Sequence, residues 1–122
     1  MILLDTHVLV WLATGDRRLP DGFRERVEEG EGLATSAVVA FEYSDLCGRG
    51  RLARGLSFAH IVDSLSLRVE PLPADVWRVL DELPSIHGDP VDRMLISHTL
   101  MLGGVLATAD RKMRSYPVPL AW

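Results

Sequence analysis

Short aliphatic runs alternate with helix-patterned segments along the whole 122-residue chain, and this alternation restricts the fold more than any other feature of the sequence. Ile2-Leu3-Leu4, Leu33-Ala34-Thr35, 67–72 and Val105-Leu106-Ala107-Thr108 read as short strands, with 118–121 as a last one. Between them the pattern predicts helices over 8–13, 21–29, 57–66 and 74–83. A further helix runs from Ser36, a good N-cap, to about Cys47, and Gly48 and Gly50 close it. Another opens at Asp89-Pro90, with proline at its first position, and ends at Gly103-Gly104; Asp110 opens a short helical turn. Strands separated by helices pair in parallel, so the expectation is a single α/β domain on a mainly parallel sheet.

Composition narrows the function classes. Apolar residues make up 48% of the chain, enough for a packed core. Cys47 is the single cysteine, which excludes a disulfide framework and a cysteine-rich zinc site and makes the reducing cytoplasm the expected compartment. The apolar segment 1–13 is interrupted by Asp5 and His7, lacks a basic leader and is too short to span a bilayer, so neither secretion nor membrane association is expected. The net charge of −4 argues against broad, non-specific nucleic-acid binding. Basic residues nevertheless cluster locally, at Arg49, Arg51 and Arg54 and again at Arg111, Lys112 and Arg114. Each cluster reads equally as solvated surface and as a contact for an RNA backbone or an acidic partner segment.

Four carboxylates stand out by context. Asp5 lies between two apolar runs, at the end of the first predicted strand. It reads as an N-cap for the following helix or as a partly buried ligand, because a buried charge needs a partner or a cation. Glu42 is a lone acid in the apolar stretch 37–43, read either as half of a buried salt bridge or as a site residue; Asp45 is read as surface. Asp89 and Asp92 have capping-box spacing at a helix start, and Asp92 shares its line on the helix with Ile96, an inward position. Asp110 again follows a strand and again reads as cap or ligand. Active sites of open α/β sheets lie at the carboxyl ends of the strands, so all four acids can meet at one rim. Carboxylates crowded there raise one another's pKa, and a hard divalent cation such as Mg2+ relieves the repulsion. No glycine-rich phosphate loop, no histidine pair at zinc spacing and no cysteine–histidine pair competes with this arrangement. Among the histidines, His98 falls on an apolar helical stripe and reads as core, His60 as surface, and His7 and His87 lie near the proposed rim.

The segments LLDTHVLVWL, SAVVAFE, HGDPVDRMLISHTL and LATADRKMRSYPVPLAW together resemble the PIN-domain ribonucleases, specifically the toxins of bacterial VapBC-type toxin–antitoxin pairs. The similarity runs nearly end to end and is weakest over 50–66. The resemblance implies a PIN-like three-layer α/β fold, with a mainly parallel five-stranded sheet flanked by helices. It implies a site for Mg2+, or Mn2+, on the acidic quartet Asp5, Glu42, Asp92 and Asp110, with Asp89 as an accessory acid and the Thr6 and Thr108 hydroxyls beside the metal. It further implies cleavage of single-stranded or loop RNA to products bearing a 5′-phosphate, a cognate antitoxin as partner, and a homodimer. One departure is FEYSDL, where relatives often have tryptophan before the glutamate and isoleucine after it; Phe41 and Tyr43 keep the bulk and Glu42 stays. Trp11, Phe41 and Trp77 read first as core and second as a groove for an antitoxin helix.

Three other functions share part of this pattern. A catalytically silent PIN-like binding module would need a broken acidic set, and all four acids are present. A phosphate-accepting receiver domain would need an acidic neighbour for Asp5 and a lysine after the last strand, whereas Lys112 is the chain's only lysine. A metal-dependent DNase shares the chemistry, which does not distinguish the sugar.

Overall fold

In the computed structural model, which describes residues 1–52 and 55–122, β1 (Ile2–Leu4), β2 (Leu33–Ser36), β3 (Arg68–Glu70) and β4 (Val105–Ala107) form one sheet in the order β3-β2-β1-β4. All three pairings are parallel, and Leu3 stands opposite Ala34 on one side and Leu106 on the other. β1 is therefore flanked by strands on both sides and covered on both faces, and its three residues have no exposed surface. A strand buried in this way must be apolar throughout, as Ile2-Leu3-Leu4 is.

The expected fifth strand is reduced to a single parallel bridge between Leu106 and Leu120. The Leu106 N–H donates to Pro119 O (2.8 Å) and the Ala121 N–H to Leu106 O (2.9 Å). Pro117 and Pro119 carry no N–H, so the ladder cannot extend around Leu120, and the sheet has four strands rather than five. Proline also shortens β3, which ends at Glu70 ahead of Pro71 and Pro73 instead of reaching residue 72. That exposed edge carries an Arg68–Glu70 ion pair, a charged edge of the kind that discourages further pairing.

The helices are α1 (Thr6–Thr14), α2 (Asp21–Glu28), α3 (Ala37–Gly48), α4 (Phe58–Leu65), α5 (Val76–Glu82) and α6 (Pro90–Leu102), followed by a 3-10 turn at Arg111–Ser115. α1 begins two residues earlier than the apolar pattern predicts, because Asp5 is itself the cap. α5 is shorter than predicted. The Val76 N–H closes a turn on Pro73 O and the Arg78 N–H one on Asp75 O, and the helix stops at Leu83, which is held extended ahead of Pro84. α3 and α6 start at their expected caps, Ser36 and Asp89, and Gly103 closes α6 at φ 62°, a left-handed conformation glycine adopts without strain.

The core joins β1 to Val8 and Leu9 of α1, Val39 and Tyr43 of α3, and Leu95 and Ile96 of α6, with Phe23 and Met113 at its ends. His98 is fully buried, with Nδ1 2.8 Å from Ser36 Oγ, and His60 is exposed, both as expected. Phe41 and Trp77 depart from the core reading: 67% and 51% of their surface is exposed, because each points off the outer side of its helix. Trp11 is partly buried. Among the described residues no helix is long and apolar enough to cross a membrane.

Candidate active site

The strand order identifies the place where a site can form. From β1 the chain moves outward through β2 and β3, then returns to lay β4 on the other side of β1. The strand order reverses between β1 and β4, and at such a switch point the connections leave in opposite directions and open a crevice at the carboxyl ends of the strands. Asp5 directly follows β1, and Thr108 directly follows β4. The Thr108 hydroxyl donates to Asp5 Oδ2 (2.8 Å), and the Asp5 N–H donates to Ala107 O (3.0 Å), so the two strand ends are tied across the crevice.

Asp5, Glu42, Asp89, Asp92 and Asp110 line one cavity of about 330 Å³ at this point, with His7, Trp11 and Ala109. Four elements deliver them. Asp5 caps α1, its Oδ1 accepting the Thr6 N–H at 2.7 Å. Asp89 caps α6, accepting from Val91 N (2.9 Å) and Asp92 N (3.3 Å). Asp110 caps the 3-10 turn, accepting from Lys112 N (3.0 Å), while its own N–H donates to Thr108 Oγ1 (3.1 Å). Glu42 comes from the second turn of α3, and its neighbour Asp45 faces away to an exposed pair with Arg49 at 3.1 Å. The salt-bridge reading of Glu42 fails, since no arginine or lysine reaches it among the described residues.

The electrostatics follow from burial without a matching cation. Desolvation pushes the Asp5 carboxyl up, opposed by the hydrogen bonds from Thr108 and Thr6. Burial also raises Glu42, with the charge of Asp5 adding to it and the Thr6 hydroxyl opposing it. Asp92 is pushed up to about 7, first by burial, then by the charges of Asp5 and Asp89. The Thr6 hydroxyl oxygen is buried beside Glu42. Hard oxygen donors that repel one another, next to a buried hydroxyl, fit a divalent cation such as Mg2+ or Mn2+.

The sequence profile of the PIN domain family matches residues 2–119. The chain belongs to the PIN-domain family. Ribonuclease VapC22 of Mycobacterium tuberculosis is 29% identical over 121 residues, which cover 97% of this chain and 93% of the relative. VapBC2 from Rickettsia felis, solved with a DNA fragment from its promoter, superposes with a TM-score of 0.72 at 19% identity, covering 98% of this chain and 96% of that one. VapC20 of Mycobacterium tuberculosis, described as a toxin cleaving the sarcin–ricin loop, superposes with a TM-score of 0.57 at 19% identity over 94% and 95% of the two chains.

In this PIN domain the expected basic residues stand outside the acidic cavity. Arg51 lines an adjoining pocket with Trp11, His7 and Arg18, Arg49 is held by Asp45, and Arg111 and Lys112 are exposed just beyond Asp110. Arg54 lies outside the described residues. One residue enters the site more directly than its sequence position suggests. His87 Nε2 stands 2.8 Å from Asp92 Oδ2 and 3.6 Å from Asp110 Oδ2. The available signal was its place two residues before the cap of α6, where a loop must fold back past the first helical turn.

Proposed function

We propose that this chain is a metal-dependent endoribonuclease and the toxin of a toxin–antitoxin pair. The observation that carries the reading is the convergence of Asp5, Glu42, Asp89, Asp92 and Asp110 on one cavity at the switch point of a PIN domain, with the carboxyls of Asp5, Glu42 and Asp92 held above their ordinary pKa. The identity to a named ribonuclease over nearly the whole chain supports the RNA substrate, and the fold shared with VapBC complexes supports an antitoxin partner. The second reading of each acid as a helix cap is compatible with this one, since a cap uses one carboxylate oxygen and leaves lone pairs free.

In this reading Asp5 and Asp92 would hold the principal cation, with Glu42 and Asp110 as further donors, and Asp89 would add negative charge at the rim. The cation supplies charge for the scissile phosphate and makes a bound water more acidic. Thr108 fixes the Asp5 carboxylate so that its oxygens meet the site in one orientation. Water adds at phosphorus, the bond from phosphorus to the 3′ oxygen breaks, and the products carry a 5′-phosphate and a 3′-hydroxyl. Arg51 in the adjoining pocket, and Arg111 and Lys112 just beyond Asp110, would hold flanking phosphates.

The test is incubation of purified protein with cellular RNA and with single-stranded DNA in Mg2+, with and without EDTA, beside Asp5→Asn and Asp92→Asn. RNA cleavage abolished by EDTA and by each substitution is expected. Cleavage that survives chelation or both substitutions would sink the metal-nuclease reading, and cleavage of DNA alone would reassign the substrate.

A further inference from the structure

We propose that His87 is a metal ligand, so that the site is a mixed nitrogen–oxygen donor set that selects a transition divalent ion such as Mn2+ over Mg2+. The inference rests on the metal-site reading above and goes beyond it to the identity of the donor and of the ion.

Three observations carry it. His87 Nε2, Asp92 and Asp110 each present a ligand atom, all within 4.8 Å of one another. Neighbouring donors on one octahedral cation, bound at roughly 2.0–2.2 Å, stand about 3 Å apart. The separations of 2.8 and 3.6 Å from Nε2 to the two carboxylates bracket that spacing. The backbone that carries the imidazole is also held in position. The His87 N–H donates to the Tyr116 hydroxyl at 2.7 Å, and Arg93 donates both to that hydroxyl (3.3 Å) and to Pro84 O (2.8 Å). The loop from Pro84 to Asp89 is therefore pinned at both ends, and the ring enters the site from a fixed backbone. Finally, the buried Thr6 hydroxyl beside Glu42 offers a further oxygen donor near the acidic cavity.

Donor chemistry sets the consequence. Carboxylates alone suit Mg2+, Ca2+ and Mn2+, whereas an imidazole nitrogen favours the transition ions. His87 thus adds affinity for Mn2+ that Mg2+ does not share, and Tyr116 acts as a positioning residue for it.

The experiment is Mn2+ binding to the full chain, followed by the loss of the free-ion electron paramagnetic resonance signal, with Mg2+ as competitor. Nitrogen coupling to the bound Mn2+ is read by electron spin echo modulation. Wild type is expected to show coupling to an imidazole nitrogen. His87→Ala and His87→Gln lose the coupling and weaken Mn2+ binding by about tenfold or more, while Mg2+ binding falls by much less. His7→Ala, whose ring faces the same cavity, keeps the coupling. Tyr116→Phe reduces the preference for Mn2+ over Mg2+ without abolishing binding. Unchanged affinity and unchanged coupling in both His87 variants overturn the proposal while leaving the carboxylate site standing. Mn2+ binding that survives Asp92→Asn overturns the carboxylate site itself.

Discussion

Asp5 divides its two oxygens between different neighbours: Oδ1 accepts the Thr6 N–H and Oδ2 the Thr108 hydroxyl. Each oxygen keeps a free lone pair, so capping is compatible with the proposed ligand role. Asp5, Asp89 and Asp110 are all N-caps, and all line the cavity. The positive ends of α1 and α6 converge on the crevice and offset part of the repulsion among the acids. In the sequence each acid reads separately as cap or ligand. The two readings merge only when the helix starts are seen to share one rim. Asp5→Asn separates the roles, because asparagine caps as well as aspartate. Its melting temperature is expected within a few degrees of wild type, with cleavage lost; a collapse of the fold would show that capping was the larger role. Thr108→Val removes the donor to Oδ2 and is expected to lower metal affinity and cleavage by roughly 10–100-fold, with Thr108→Ser restoring most of both. Equal activity in Thr108→Val would mean that Asp5 is oriented without it. His87 was the least legible residue of the site, since its role depends on a loop path that no periodicity encodes.

At the scale of elements, the sheet can bring its acids together only if β1 and β4 lie side by side, and Gly104 sets how closely they do so. A Cβ at Gly104 would stand 2.9 Å from Leu3 Cδ1 and 3.2 Å from the Met1 carbonyl oxygen. The carbonyl cannot move without disturbing β1, because it accepts the Val105 N–H at 3.1 Å. Gly104→Ala is therefore expected to destabilise the domain by about 1–3 kcal/mol, read as a lower urea midpoint, and to lower cleavage through the displaced Asp5–Thr108 pair. A midpoint equal to wild type would show that Leu3 and β1 yield without cost. Helix starts were legible because caps and an N1 proline are local chemistry, as at Ser36 and Asp89-Pro90. Strand ends were less so. The apolar pattern continues through Leu72 and across Val118 to Leu120, but the interleaved prolines withhold the N–H groups that a ladder needs. The order β3-β2-β1-β4, and with it the switch point, depends on long-range pairing that the hydrophobic pattern leaves open.

For the whole molecule, gathering acids at one point makes stability depend on pH and on metal together. Asp92 sits at about 7 in the fold against an ordinary value of 3.8, and Asp5 and Glu42 are raised in the same direction. Between those two values the native state binds more protons than the unfolded chain, so the contribution of Asp92 is fully present below pH 3.8 and is lost as pH rises through 7. Buried His98 has its pKa lowered and works in the opposite direction, losing stability as pH falls below its ordinary 6.5, so the raw profile mixes the two. Comparison with Asp92→Asn isolates the carboxylate. Without metal at pH 8, Asp92→Asn is expected to be more stable than wild type by about 1–2 kcal/mol, well under the full value of the shift because solvent reaches the group. The gap should close by pH 5. A cation held there, as proposed, would bind the deprotonated site and so compete with the same protons. At pH 8, a cation at one hundred times its dissociation constant stabilises wild type by about 2.7 kcal/mol, a rise in melting temperature of roughly 10 °C for a domain of this size. At pH 5 the rise shrinks, because protons hold Asp92, and in Asp92→Asn it is small at both pH values. Scanning calorimetry at pH 5 and 8, with EDTA or with saturating Mg2+ and Mn2+, measures all of these terms. A metal-induced rise that is equal at the two pH values, or undiminished in Asp92→Asn, would separate the ion from the raised carboxyl and break the link between the acidic crevice and the stability of the fold.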